Sequence, residues 1–282
     1  MKKYLPSIVM LAIFESIAVS LWLTKDNIFY LFNFSYIGIS IALGLALLAG
    51  EKRYARNVAQ FLVGSYLLVY LGIICGENMQ IEGFWYYLFM GVFEAATIHY
   101  AVAKIFGPFL FGRGWCGYAC WTAMIIDLLP FKSPQSERRE RLGVIRYLLF
   151  AIAFIFVLSL FLFDIENKER IMWYAFLIGN GVYYAVGISL AFMLKDNRAF
   201  CKYICPITVF LKIGSRFSLI RIGADEAKCV SCGKCRRVCP MNVEPDVPFK
   251  VRENKTECIL CLTCVRECPT KALDMRFKGK NE

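Results

Sequence analysis

Histidine is almost absent from this sequence: His99 is the single one in 282 residues. That excludes a bis-histidine haem and leaves little with which to build a His-rich zinc or copper site. No G-x-G-x-x-G run and no phosphate-binding loop occurs, so no nucleotide is expected. Charged residues make up only 20% of the chain, with 22 Asp and Glu against 33 Lys and Arg. What fills their place is apolar. The chain is 58% hydrophobic, with 24 Phe and 15 Tyr, more apolar surface than a soluble domain needs. A bilayer accounts for it, because each spanning helix takes ~20 apolar residues. The formal charge of +11 is therefore assigned to loops on the cytoplasmic side of a membrane and not to a nucleic-acid partner.

Six apolar stretches are long enough to span: 4–23, 28–50, 59–75, 84–106, 144–163 and 171–194. Lys2 and Lys3 precede the first, but no small-residue cleavage site follows it, so it is expected to stay as a helix. Alternate loops are basic. Lys52, Arg53 and Arg56 lie in one; Lys104, Arg113, Lys132, Arg138, Arg139 and Arg141 in the next; Lys195, Arg198 and Lys202 in the third. The intervening loops are poor in net positive charge: Lys25 with Asp26; Glu77 and Glu82; and Asp164, Glu166, Lys168, Glu169 and Arg170. The asymmetry predicts a multi-pass protein of the cytoplasmic membrane with both termini cytoplasmic and lipid around its spans. Trp22, Trp85 and Trp173 are expected as interfacial anchors near the outer ends. Beyond residue 222 the apolar runs stop. The expected division is therefore a helical membrane domain over 1–222 and a soluble α+β domain over 223–282, in which 218–222 and 272–277 could pair as edge strands.

Twelve of the thirteen cysteines fall into four tight groups, and Cys75 is left over. Cys229, Cys232, Cys235 and Cys239 form one C-x2-C-x2-C-x3-C-P run, and Cys258, Cys261, Cys264 and Cys268 form a second. In two-cluster ferredoxins the last Cys of each run ligates the other cluster. The expected ligand sets for two [4Fe-4S] clusters are thus Cys229, Cys232, Cys235 with Cys268, and Cys258, Cys261, Cys264 with Cys239. Zinc sites show paired C-x2-C units and no trailing prolines of this kind. The remaining four cysteines stand in an internal repeat, R-x-aromatic-C-x-Y-x-C, at Arg113–Cys120 and again at Arg198–Cys205. Each copy follows a stretch running toward the cytoplasm, which makes the duplication parallel about an axis along the membrane normal. Residues four apart share a helix face, so Cys116 with Cys120 and Cys201 with Cys205 would offer two thiolate pairs. Together they could hold a third iron–sulfur cluster, [2Fe-2S] or [4Fe-4S]. A disulfide pair, a thiol relay and plain packing are the alternatives. Glu15, Glu94 and His99 are ionisable groups inside the apolar stretches; they suit either a quinone or proton role or helix–helix hydrogen bonds. Asp127 could cap or orient the segment after the first pair, and Cys75 reads as a small buried hydrophobe.

The segment from Phe111 to Cys120, the later Cys201-Lys-Tyr-Ile-Cys205-Pro206 and the double ferredoxin run resemble the NapH/NosR/CcoG-type membrane polyferredoxins over roughly 83–278. The resemblance implies electron transfer across or out of the membrane in respiratory and maturation systems, in complex with other redox subunits. One departure stands out: the family motif is C-x3-C-P, and Trp121 occupies the proline position of the first copy. The function expected is an iron–sulfur electron-transfer subunit. It would relay electrons between a soluble carrier such as a ferredoxin, the three clusters and a membrane partner or quinone. A reductase serving maturation of another enzyme and a redox-sensing regulator are the competing classes, and a transporter ranks last.

Overall fold

The computed structural model describes residues 4–93, 95–246 and 253–277. Pro6 opens α1 (Leu5–Lys25) from the first turn, where its missing N–H costs nothing. Asp26, in the left-handed region, reverses the chain, and the Asn27 side chain accepts from the Phe29 amide to cap α2 (Ile28–Ala49). Small residues bring the helices together. A Cβ at Gly38 would lie 2.5 Å from Phe14 Cβ, and one at Gly44 2.5 Å from Ala59 Cβ on α3 (Ala55–Ser65). Only Phe14 and Ala18 of α1 are buried, so α1 is peripheral and rests on α2. Within this pair Glu15 accepts a 2.8 Å hydrogen bond from Ser35.

The helix of α3 continues with π geometry over Tyr66–Ile74. Beyond it the chain does not leave the bundle. Gly76 sits against Trp173, Asn78 Nδ2 donates 2.9 Å to the Met172 carbonyl, and Gln80 meets Gly179. Residues 76–80 thus run back down the side of α10 (Lys168–Leu194). α4 (Ile81–Phe89) then returns along α9 (Ile145–Leu162), its Trp85 packed on Phe150 and Phe154 and its Phe89 on Phe161. Gly91, at φ +69°, reverses the chain again, a conformation glycine reaches without a Cβ penalty. Helix then resumes through α5 (Ala95–Tyr100), a π segment Ala101–Phe106 and α6 (Gly107–Phe111).

This corrects the expected fourth span. Residues 84–106 are one apolar run but not one helix, and the described residues contain five helices long and apolar enough to cross a membrane, not six. The helical run at 95–111 is on the order of 25 Å long at 1.5 Å per residue, short of the ~30 Å hydrocarbon core. Hydropathy could not show the break, because α4 and α5 are both apolar. Trp85 packs in an aromatic cluster with Phe84, Phe150, Phe154 and Phe210.

At the far end of this bundle come α7 (Gly114–Tyr118) and α8 (Trp121–Ile126), then, after α9 and α10, α11 (Ala199–Tyr203) and α12 (Thr208–Arg216). The C-terminal unit is a two-stranded antiparallel sheet, β1 (Ile220–Ala224) against β2 (Leu273–Phe277), in register Ile220↔Phe277 to Ala224↔Leu273. It encloses two four-residue helices, α13 (Lys234–Arg237) and α14 (Thr263–Arg266). The strands pair as their alternation predicted, and β1 straddles the expected boundary at 223.

Candidate iron–sulfur sites

The two C-terminal cysteine runs fold alike. Ser231 and Gly233 have φ of 52° and 68°, and Leu260 and Leu262 have φ of 51° and 57°. Left-handed residues alternating along a loop turn successive amides to one side and form an anion-binding concavity. Two leucines held there cost about 1–2 kcal/mol each, strain of the kind found at functional sites. The fourth cysteines match as well: the Val243 amide donates 3.3 Å to Cys239 Sγ, and the Ala272 amide 3.3 Å to Cys268 Sγ.

Cys239, Cys258, Cys261 and Cys264 line one pocket with Met241, Ile259 and Leu262. Burial and the neighbouring thiols push Cys239 up to about 12, and burial pushes Cys258 up to about 11. Thiols so placed do not ionise by themselves; a cation has to supply the charge. The other expected set is more open. Cys235 is buried and packs with Cys268 on the sheet residues Ile222 and Leu273, Cys229 is half-buried, and Cys232 is exposed. Among the described residues no three of His, Cys, Asp and Glu converge as they would around a single metal ion.

The membrane-side cysteines depart from the expected geometry. Cys116 and Cys201 lie inside α7 and α11, but both helices stop before the second cysteine, so neither pair shares a helix face. Cys120 is extended (φ −85°, ψ 121°) and starts α8. Pro206 imposes such a break after Cys205, because the residue before a proline avoids the α region. In the first copy Trp121 reaches the same end by other means: its Nε1 donates 2.7 Å to Asn180 Oδ1, and Tyr184 donates 3.2 Å to its carbonyl. The four thiols are nevertheless close enough to act on one another. Cys205 feels the charges of Cys201, Cys120 and Cys116, and burial pushes Cys201 up to about 11.

The arginine of each copy holds the cysteine of the other. Arg113 Nη2 donates 3.3 Å to the Cys201 carbonyl, and Arg198 Nη1 donates 3.0 Å to the Cys116 carbonyl. Both guanidiniums are fully buried and need carboxylate partners. Arg198 pairs with Asp127, Nε to Oδ1 at 2.6 Å, and Asp127 also binds Arg56. Arg113 pairs with Glu257 of the ferredoxin unit. Burial works to raise Asp127, but Arg198 and Arg56 outweigh it and hold the carboxyl below its ordinary range. Asp127 is thus the orienting residue expected after the first pair. The repeated tyrosines are used differently. Tyr118 donates 3.2 Å to the Leu260 carbonyl, whereas Tyr203 accepts from the Arg139 amide at 3.1 Å.

Residues that sequence reasoning passed over complete the site. Lys104, assigned to a loop, is 4% exposed; its Nζ lies 5.1 Å from the Trp115 ring centre, and Cys116, Cys120 and Cys205 are among the charges it feels. With Arg113, Arg146, Arg198 and Lys202, all no more than 1% exposed, it gives the thiols a positive surround that favours an anionic group. Nothing local marked Glu257, or Gly117, against which the Ile259 carbonyl packs so closely that a Cβ would overlap its oxygen. His99 is buried edge-on against Trp115, with neither ring nitrogen hydrogen-bonded among the described residues. Glu94 lies outside the described residues. Cys75 is not the small buried hydrophobe expected: it is exposed at the end of the π-helix.

Comparison with known proteins agrees with this layout. A family model described as a 4Fe-4S dicluster domain matches residues 221–269, and one described as a 4Fe-4S binding domain matches at 98–131 and 181–224. The uncharacterized protein MJ0749 of Methanocaldococcus jannaschii is 27% identical over 180 residues, covering 61% of this chain and 69% of that protein. The methylamine utilization ferredoxin-type protein MauN of Paracoccus denitrificans is 27% identical over 148 residues, 48% of this chain and 50% of its own. The ferredoxin-type protein NapH of Haemophilus influenzae is 26% identical over 148 residues, 50% and 52%. The chain spans about half the length of the MauN and NapH relatives it matches. No solved structure matches it.

Proposed function

We propose, for a chain that belongs to the NapH-type membrane polyferredoxin family and so serves iron–sulfur electron transfer, a fixed order of three redox sites. Cys229, Cys232, Cys235 and Cys268 hold the [4Fe-4S] cluster nearest solvent, where a soluble carrier docks. Cys239, Cys258, Cys261 and Cys264 hold the second. Cys116, Cys120, Cys201 and Cys205 hold the third, from which electrons pass to a membrane partner. A cluster in each place supplies a one-electron site; the protein supplies thiolates, burial and positive charge.

One observation carries this order. Cys239, Cys258 and Cys261 pack in a single apolar cluster with Cys116 and Cys201, whereas Cys235 and Cys268 pack in another, against the sheet. The second ferredoxin site therefore stands between the solvent-facing site and the membrane pairs. That one family model matches both segments bearing those pairs supports the parallel repeat and the third cluster. Six traverses with both termini cytoplasmic remain the preferred topology, with 95–111 as a short fourth crossing met by local thinning of the bilayer and 76–89 as a re-entrant turn. Arg56, in the first turn of α3 just after the basic loop, donates 3.3 Å to the Gly117 carbonyl, so the start of α3 and the first cysteine pair lie on one face, as positive-inside orientation requires.

The test is the Cys116→Ala, Cys201→Ala double variant with the ferredoxin motifs intact. Iron should fall to about eight atoms per chain, the content of two [4Fe-4S] clusters, and one paramagnetic signal should disappear. If iron and spectra match the unmodified protein, these cysteines hold no cluster and a thiol relay takes their place in the path.

A further inference from the structure

Glu257 belongs to no cysteine motif, yet its carboxylate is the most heavily contacted acid among the described residues. It is fully buried. Oε1 accepts from Arg138 Nη2 at 2.8 Å and Arg146 Nη1 at 3.0 Å and lies 3.4 Å from Lys212 Nζ, while Oε2 pairs with Arg113. These four cations come from four places in the membrane unit: the α6–α7 turn, the loop before α9, the first turn of α9, and α12. All converge on one side chain of the ferredoxin unit, immediately before Cys258. Two of them reach on to the second membrane pair. Arg113 donates to the Cys201 carbonyl at 3.3 Å. Arg146 donates 3.3 Å to Thr208 Oγ1, which donates 2.7 Å to the Cys205 carbonyl. From Cys258, Glu257 therefore leads through one side chain, Arg113, to the Cys201 carbonyl and through two, Arg146 and Thr208, to the Cys205 carbonyl. The opposite flank of the 258–261 loop is held less strongly, by Tyr118 on the Leu260 carbonyl.

We infer that Glu257 is the electrostatic latch that seats the 258–261 loop on the membrane cysteine pairs and so sets the rate at which one electron passes from the ferredoxin unit to the membrane site. This rests on the relay order proposed above. A carboxylate buried among four cations is held by all of them, and its loss leaves buried like charges facing an apolar loop. Those charges then draw in water, and the loop lifts. No bond is made or broken in the step: a reductant such as dithionite supplies the electron, one ferredoxin cluster gives it up and the membrane site gains it. Glu257 is a positioning residue in this, since it touches no redox group itself.

The experiment uses the full-length protein in detergent, with Glu257→Gln, Glu257→Asp and Lys212→Met. Three quantities are measured: iron content, amide hydrogen exchange over 258–262 and 114–118, and the rate at which the membrane site is reduced after a dithionite pulse. Glu257→Gln should keep full iron content, exchange faster at both loops and transfer the electron at least tenfold more slowly; Glu257→Asp should recover part of both losses. Unchanged exchange and rate at full iron content overturn the inference. If Glu257→Gln does not assemble, Lys212→Met decides, because it removes only the half-exposed cation: a rate two- to fivefold lower at full iron content sustains the inference, and an unchanged rate overturns it. Failure of the relay itself is told apart in the unmodified protein, where the membrane site would then show no reducible signal at all.

Discussion

Replacing Asp127 with Asn tests how far the repeat interface depends on one buried charge. Asp127 has a side chain 5% exposed, and its partners Arg198 and Arg56 are 1% and 20% exposed. Asn keeps the shape and removes the charge, leaving Arg198 buried and unpaired between the two copies. Removing one partner of a buried pair costs about 3–5 kcal/mol, whereas an exposed pair is worth about 0–1 kcal/mol. Against a total stability of about 5–15 kcal/mol, the larger figure is a third or more of what holds the fold. Arg198 also supports the Cys116 carbonyl, so the loss should appear first at the thiols, as faster alkylation of Cys116 and Cys201 in the metal-free protein. Unfolding of the purified protein in detergent measures the whole cost. In an Asp127→Leu, Arg198→Met double variant the buried charge disappears with its partner. It should be more stable than Asp127→Asn, short of the unmodified protein by about 1 kcal/mol for the lost Cys116 hydrogen bond. The sign with pH follows from the lowered Asp127 pKa. Its contribution is complete above the unfolded value of about 3.9 and is lost only as pH falls through the folded value. From pH 7 to pH 5 this pair should contribute no change. A cost below about 1 kcal/mol for Asp127→Asn would refute the reasoning, since the pair would then behave as if it were solvated.

Two further outcomes are expected. Gly117→Ala should undock the ferredoxin unit while leaving both of its clusters in place, because the new Cβ would overlap the Ile259 carbonyl oxygen; overpacking of this kind costs about 1–3 kcal/mol, and faster proteolysis between α12 and β1 would report it. Single-cysteine labels at Glu77 and Val92 should both react with a membrane-impermeant reagent from the outside, whereas one at Ser133 should not; opposite sides for Glu77 and Val92 would make 76–89 a crossing and not a re-entrant turn.

Much of this protein is legible because it is written locally. A span is a matter of apolar length, so α1, α2, α3 with its π extension, α9 and α10 could be read from composition alone. Ligand sets of the ferredoxin kind are expected from spacing, since eight cysteines in two C-x2-C-x2-C-x3-C-P runs leave few alternatives. The repeat was visible as well, down to its arginines and tyrosines.

The rest depended on groups distant in sequence. Whether 84–106 is one helix turns on Gly91 and on the fit of Asn78 and Gln80 against α10, which no hydropathy window registers. Cys116 and Cys120 have helical spacing, but α7 ends between them, because Trp121 is held from α10 by Asn180 and Tyr184. Lys104 reads as a plain loop cation until the fold encloses it beside the thiols. Glu257 looked like any acid in a polar segment. Burying a charge is tolerable only where opposite charges gather around it, and it is the tertiary fold that brings Arg113, Arg138, Arg146 and Lys212 to that one carboxylate.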